Sequence, residues 1–443
     1  MWRDRTLHFV GIGGAGMSGL ALVAHALGAK VSGSDRAPYQ GPLDVPIAVG
    51  HRAENVPPGA EVVYSSAIAP ENPERAVART QLHRADLLGE LTRLKPTIAV
   101  TGTHGKTTTS SMLVHAMIAA GEDPSYLVGG EVRTTGSNAG WGSGKWLIVE
   151  ADESDRSLLK LQPTVAVLTN AELDHHTTYA SQRDVDDTFR AFLAKADIAV
   201  VWDRPGLLAL AESTPVVPFD AEPELTAGGS RFDLDGLAVE LTVPGEHNAR
   251  NAAAALTAAA IADEGVAEAI AGGGNLPWSE RMRRAASSLV DFEGAGRRFE
   301  RIGRVNGAEV VDDYAHHPTE VAATLAAART LRPRKVIAVF QPHLYSRTQR
   351  EARHFGEALA GADLAVILDV YPARERAEDY PGVTGLLVAE HTADAAGGKR
   401  VVWMPDRDAA KHFLQREIQA GDLLLTLGAG DVNTLGQELV AGT

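Results

Sequence analysis

Two glycine-rich turns constrain this chain more than anything else in it: HFVGIGGAGMSG at residues 8–19 and VTGTHGKTTT at 100–109. Each follows a short apolar run and precedes a stretch with helical spacing. A strand–turn–helix passage of this kind commits the backbone to a parallel sheet, because the next strand is reached only by a crossover. In the first turn Gly11, Gly13 and Gly16 make a G-x-G-x-x-G, and Asp35 ends the following apolar run where a dinucleotide site places its acidic residue. Taken alone the motif is weak evidence, since a tight turn between strand and helix also carries it.

The same alternation continues along the chain. Leu7 to Val10 reads as a buried strand, Ser18 to Leu27 as a helix ended by Gly28, and Lys30 to Ser34 as the next strand. A break falls at Leu94-Lys95-Pro96, and Thr97 to Val100 opens a second block containing strands at 146–149 and 165–169. GEHNARNAAAALTAAAI, 245–261, is a strong helix pattern, and 272–277 (GGGNLP) reads as a loop, with no role assignable to 272–290. A third block has strands at 310–311, 336–340, 364–368 and 423–427. The expectation is an α/β protein of three tandem domains, residues 1–95, 96–294 and 295–443.

The second turn has the context of a phosphate loop. Backbone amides of Gly102, Thr103, His104, Gly105 and Thr108 and the helix N-terminus are placed to hold phosphate oxygens, Lys106 to reach the terminal phosphates, and Thr107 to ligate Mg²⁺. Only two residues separate Gly102 from Gly105, fewer than in the usual loop. Glu150, opening EADESD, and His175, in TNAELDHH, follow the expected strand ends at which open α/β sheets bind ligands. A carboxylate suits Mg²⁺, and a histidine is possible beside bound phosphates.

Bulk properties narrow the partners. A formal charge of −15 argues against nucleic acid and against a membrane surface, yet leaves small anions possible at helix N-termini. With no cysteine there is no thiolate nucleophile, disulfide or Cys-ligated metal. No apolar run is long enough to span a bilayer, and the start MWRDRTLHFVG has no leader-like core, so a cytoplasmic enzyme is expected.

TGTHGKTTT, EADESD, TNAELDHH, GEHNARNAAAA, GRRFE and DDYAHHPTEV follow one another in an order that resembles the Mur ligases, ATP-dependent ligases of peptidoglycan synthesis, over nearly the whole chain. The resemblance implies a Rossmann-like N-terminal domain that binds a UDP-sugar, a central P-loop ATPase domain, and a Rossmann-like C-terminal domain that closes over ATP. It implies an acyl-phosphate route to an amide. GIGGAGMSG, SGSD and FQPHLYSRT are similar to the members that join L-alanine to UDP-N-acetylmuramate. By this resemblance the diphosphate lies on Gly13, Gly14, Ala15, Gly16, Met17 and Ser18, with Asp35 and Ser66 at the same site. Thr107 and Glu150 hold one Mg²⁺ and His175 with Glu150 a second, Mn²⁺ being an acceptable substitute. His247 and Asn251 match adenine-side positions, and Arg298 and Asp313 match groups reaching ATP. Tyr314 and His316 lie near the amino acid, while His343 and Arg347 match substrate-side residues, the arginine suited to a carboxylate.

Two positions depart from the pattern. Some members carry arginine after the FQPH histidine, where this chain has Leu344, which shifts carboxylate recognition to Arg347. Several sister ligases carry a carbamylated lysine where this chain has Arg190, which excludes that device here. The alternatives are a ligase that attaches a recycled tripeptide to the same sugar nucleotide, an NAD-dependent oxidoreductase, and a nucleotide-switched binding protein.

Overall fold

The computed structural model describes residues 2–274 and 276–442; Asn275, within the expected 272–277 loop, lies outside them. Its architecture is mixed α/β, with three helix-covered sheets and one small antiparallel sheet. The N-terminal sheet is wholly parallel, in the order Ile47–Val49, Lys30–Asp35, Thr6–Val10, Glu61–Tyr64, Thr80–His83. Strands are added on both sides of Thr6–Val10, so the order reverses there, and the crevice beyond its carboxyl end receives the first glycine turn.

The central sheet runs Val216–Phe219, Ile198–Trp202, Val165–Leu168, Thr97–Thr101, Leu147–Glu150, Ser125–Val132, Ser137–Gly140, with only the last pair antiparallel. Ile98, Ala99 and Val100 have no exposed surface, as do all four residues of Val165–Leu168. Continuous apolar strands of this kind are required where helices cover both faces. Val100 pairs with Glu150 on one side and Thr101 with Leu168 on the other. The second glycine turn therefore leaves the sheet between Glu150 and the TNAELDHH segment. Its helix, Lys106–Ala119, packs against helix Glu280–Ser288. Arg281 of that second helix donates to the Ala120 carbonyl at 3.2 Å and pairs with Glu122 and Asp263. Much of the 272–290 stretch thus becomes a helix clamped to the end of the phosphate-loop helix.

The described chain divides into two compact units. The first comprises 1–220, 234–238 and 250–292, and the second 221–233, 239–249 and 293–443. The N-terminal and central sheets fall in one unit because one continuous core joins them: Leu7, Phe9 and Leu20 belong to the same buried cluster as Ala99, Leu147, Val149 and Phe189.

In the second unit, Glu300–Val305 runs antiparallel to Ala308–Asp313, followed by parallel Leu423–Leu427, Val336–Phe340, Leu364–Ile367 and Arg400–Trp403. Separate apolar clusters pack around Phe340 and Phe355 and around Val339 and Leu424. The carboxyl ends of Ala308–Asp313 and Val336–Phe340 flank Leu423–Leu427 and carry the DDYAHH and FQPH segments. The antiparallel sheet of Glu224–Thr226, Gly229–Leu234 and Leu237–Leu241 precedes the long helix Glu246–Glu264. Among the described residues no helix is long and apolar enough to cross a membrane.

Candidate active site

The first glycine turn ends at Gly14, which begins helix Ala15–Ala26 without a side-chain cap. Gly13, Gly14, Ala15 and Gly16 are exposed, whereas Met17 is buried in the core and acts in packing. The Gly13 amide donates to Asp35 Oδ2 at 2.8 Å, and a Cβ on Gly13 would lie 2.9 Å from that oxygen. Ser18 Oγ donates back to the Ala15 carbonyl at 3.0 Å. Arg84 Nη1 lies 3.6 Å from where a Cβ of Gly16 would stand, and Arg84 Nη2 donates to Asp152 (2.9 Å) and Asp155 (3.1 Å) of EADESD. Ser66 donates its hydroxyl proton to Asp155 Oδ2 at 3.0 Å and so accepts from His83 Nε2, also at 3.0 Å. Arg84 thereby ties the rim of the first turn to the acidic segment beside the second, and Ser66 joins that segment to His83.

The second turn is held from all sides. Gly102 and Gly105 have φ of 135° and 83°, a left-handed backbone that favours glycine. A Cβ on Gly102 would come within 2.1 Å of Thr169 Oγ1, and one on Gly105 within 2.6 Å of Asn251 Oδ1. The His104 carbonyl accepts from Thr169 Oγ1 (2.6 Å) and Asn170 Nδ2 (2.9 Å), and the His104 amide donates to Asn170 Oδ1 (2.9 Å). Thr103 Oγ1 donates to the Glu172 carbonyl at 2.9 Å. Thr108 is buried against the sheet. The TNAE stretch thus positions the loop from the neighbouring strand end.

Lys106 Nζ donates to the carbonyls of Gly102 (2.7 Å) and Thr103 (3.1 Å) and pairs with Glu153 Oε2 at 2.8 Å. Burial opposes its charge, but Glu153, Asp152 and Glu150 outweigh that and hold its pKa above the ordinary lysine value. Burial alone would likewise raise Asp152, yet Lys106 and Arg84 hold it down at about 2. Thr107 Oγ1 donates to Glu150 Oε2 at 2.9 Å, and the Gly129 amide donates to the same oxygen at 2.8 Å. His175, at φ 52°, directs Nε2 to Glu153 Oε1 (3.3 Å) and Asp174 Oδ2 (3.7 Å). His175 thus lies against Glu153, while Glu150, with which the resemblance pairs it around a second ion, accepts from Thr107 and Gly129.

The second unit gathers the remaining candidates. Asp313 accepts from the amides of Phe299 and Ala315, each at 2.8 Å, and burial pushes its pKa up to about 6 against the pull of Arg298 and these amides. Arg298 lies over the Tyr314 ring at 5.1 Å, with Nη1 3.9 Å from Glu320 Oε1. Its neighbour Arg297 is spent on structure, bonding Asp312 (2.9 Å) and the carbonyls of Gly428 (2.7 Å) and Gly430 (3.2 Å). His316 Nδ1 sits 3.0 Å from the Tyr314 carbonyl and 3.2 Å from Glu320 Oε2. His343 stacks on Tyr371 at 5.8 Å between centroids, and Arg347 Nη1 meets His343 Nδ1 at 3.4 Å. A guanidinium only donates, so Nδ1 is the acceptor and Nε2 carries the ring proton. Leu344, at φ 70°, is buried and cannot replace an arginine at that position. Burial lowers His247 to about 4, so the ring is neutral at pH 7. His247 and Asn251 share one helix, but Asn251 counts with the first unit, against Gly105, and His247 with the second.

Sequence reasoning left out Glu153, Asp152, Arg84, Asn170, Glu320 and Tyr371. Glu153 and Asp152 lie within a quoted motif, and attention to every carboxylate of EADESD would have found them. Arg84 carries no local signal.

Three family models match successive parts of the chain. "Mur ligase family, catalytic domain" covers residues 6–95, "Mur ligase middle domain" 100–259, and "Mur ligase, glutamate ligase domain" 297–430. A UDP-N-acetylmuramate–L-alanine ligase of Renibacterium salmoninarum is 43% identical, the match spanning 98% of this chain and 95% of that protein. The enzyme of the same name from Acidithiobacillus ferrooxidans is 42% identical over 98% and 97% of the two chains. The crystal structure of the UDP-N-acetylmuramate-alanine ligase of Thermotoga maritima superposes with a TM-score of 0.80 at 26% identity, covering 99% of this chain and 98% of that one. With two glycine turns at strand ends, a braced lysine and this similarity along its whole length, the chain belongs to the Mur ligase family.

Proposed function

We propose that the protein is an ATP-dependent ligase that joins L-alanine to the lactyl carboxylate of UDP-N-acetylmuramate, releasing ADP and phosphate. The observation that carries this reading is Lys106. It is a half-buried, charged lysine in a glycine turn at a sheet switch point, beside a threonine and a carboxylate able to hold a cation. The first turn, with Gly13, Gly14, Ala15, Gly16, Met17, Ser18, Asp35 and Ser66, is assigned to the sugar nucleotide. Its lack of a lysine suits binding of a handle more than phosphoryl transfer.

In the first step a carboxylate oxygen of the sugar attacks the γ-phosphorus and ADP leaves. Both reactants are anionic, so the barrier is lowered by fixed positive charge, here Lys106, and by the loop amides. Thr107 and Glu150, two oxygen donors 2.9 Å apart, fit Mg²⁺. Bound there, the ion would neutralise phosphate charge. A second ion on His175 and Glu150 requires His175 to leave Glu153. In the second step the amine of the amino acid attacks the acyl carbon, phosphate leaves, and the nitrogen loses a proton. Arg347 is assigned to the amino acid's carboxylate, with Tyr314, His316 and His343 beside it. Arg298, Asp313, His247 and Asn251 are assigned to the nucleotide.

The test is ADP release with UDP-N-acetylmuramate, Mg²⁺·ATP and each amino acid in turn, with the product's mass. Turnover with a recycled tripeptide and none with alanine would move the assignment to the sister activity. A nicotinamide-dependent absorbance change would restore the oxidoreductase reading.

A further inference from the structure

One carboxylate holds both basic groups that flank the phosphate loop. Glu153 is 2% exposed, and among the described residues no amide or hydroxyl donates to either of its oxygens. A buried carboxylate ordinarily recruits such donors. Its neighbours do: Glu150 takes the Thr107 hydroxyl and the Gly129 amide, Asp152 the Ser154 amide, and Asp155 the Ser157 amide. Among the described residues Glu153 instead meets side chains able to carry positive charge, Lys106 on Oε2 and His175 on Oε1. Its own carbonyl accepts the Tyr179 hydroxyl at 2.6 Å, which fixes the backbone from which the carboxylate reaches.

Two protons of the Lys106 ammonium group are engaged by the Gly102 and Thr103 carbonyls, and the charge is paired with Glu153 Oε2 at 2.8 Å. A phosphate oxygen that draws Lys106 therefore competes with the counter-ion beside it. The two carbonyls belong to the loop that would wrap the phosphate. Glu153 comes from a different strand end, and it is the anion with which a phosphate competes.

We propose that Glu153 is a positioning residue that parks Lys106 and His175 in a resting arrangement and must surrender Lys106 to the nucleotide's phosphates before turnover. This rests on the assignment of the loop to ATP. The apparent nucleotide affinity of the resting enzyme is then lowered by the fraction of molecules with Lys106 parked. The parked pair also keeps the lysine charged and close to its working position, so removing the carboxylate loosens the groups that must be aligned during transfer.

The experiment is calorimetric titration of ADP, without divalent cation or other substrates, into the wild type, Glu153→Gln, Lys106→Ala and the double variant. The expected result is binding about tenfold tighter in Glu153→Gln, with the gain shrinking to about twofold or less when Lys106 is absent. At saturating substrates kcat of Glu153→Gln falls about tenfold or more while KM for ATP does not rise. Glu153→Asp, one methylene shorter, gives a smaller gain in ADP affinity, and serves if the glutamine variant does not fold. Unchanged or weaker ADP binding in the folded variants overturns the proposal, as does an equal gain with and without Lys106. Failure of the wild type to bind ADP at all overturns instead the ATP assignment on which it rests.

Discussion

Around Lys106 three carboxylates outweigh burial and keep the lysine charged. Around Asp313 burial outweighs Arg298 and two backbone amides, and the carboxyl rises to about 6. His247, in the same unit as Asp313, is pushed in the matching direction for a base, to about 4, again with burial as the largest cause. The first cluster is a set of paired charges and the second a set of groups that burial makes less willing to ionise. The difference follows from the number of opposite charges each group meets, since burial opposes ionisation in both places. A site that keeps its charge in the absence of ligand is prepared for a polyanion. A site that gives up charge lets the bound ligand decide the protonation state.

The sharpest way to break this contrast is Lys106→Ala. ADP formation is expected to fall by about a thousandfold or more, while affinity for UDP-N-acetylmuramate measured calorimetrically stays within about twofold. Loss of sugar-nucleotide binding in a folded variant would sink the division of labour between the two glycine turns. Next in size is the titration of Asp313. A carboxyl with a raised folded pKa holds its proton more tightly folded than unfolded, so its contribution to stability is lost as pH rises through the ordinary aspartate range toward 6. Asp313→Asn cannot titrate. The unfolding free energy of this variant relative to wild type should therefore grow by about 2–3 kcal/mol between pH 4 and pH 7, read by denaturant melts at each pH. A flat difference would remove the contrast with Lys106.

A smaller effect is expected from Arg347→Ala, with KM for alanine rising about tenfold and kcat changing less; wild-type kinetics would end the assignment of Arg347 to the amino acid. Smallest is Ser66→Ala. It removes two exposed hydrogen bonds, to Asp155 and from His83, and should cost about 1 kcal/mol or less in stability or sugar-nucleotide affinity. A larger loss would mean that the link from His83 through Ser66 to EADESD carries more than local order.

Much of the fold was legible because its central strands are short, wholly buried apolar runs. Val336–Phe340 and Leu423–Leu427 stand where the sequence places them, and Leu147–Glu150 is displaced by one residue. Thr80–His83 and Ser137–Gly140, with sequences TQLH and SNAG, carry no apolar alternation. They are strands because a neighbour's backbone offers hydrogen bonds at a sheet edge. The helix Glu280–Ser288 was hidden by its charged ERMRR start, since only Met282 and two alanines face the core. In the site, the glycine turn, Lys106 and Glu150 stand out by residue type and context. The partnership of Glu153 with Lys106 and His175 does not, because it joins segments 22 and 47 residues away from Glu153.

By itself the sequence determined the local events: which runs form buried strands, where glycine must permit a left-handed turn, and which family's ordered motifs the chain carries. These depend on side-chain character and on spacing within a few residues. Only the tertiary structure decided that His175 lies against Glu153 and that Arg84 binds Asp152 and Asp155. It also decided that both Arg297 and Arg298 lie over the Tyr314 ring, Arg297 bound to Asp312, Gly428 and Gly430 and Arg298 near Glu320. Those outcomes depend on sheet order and register, which set distances between remote segments, and an ion pair depends on distance.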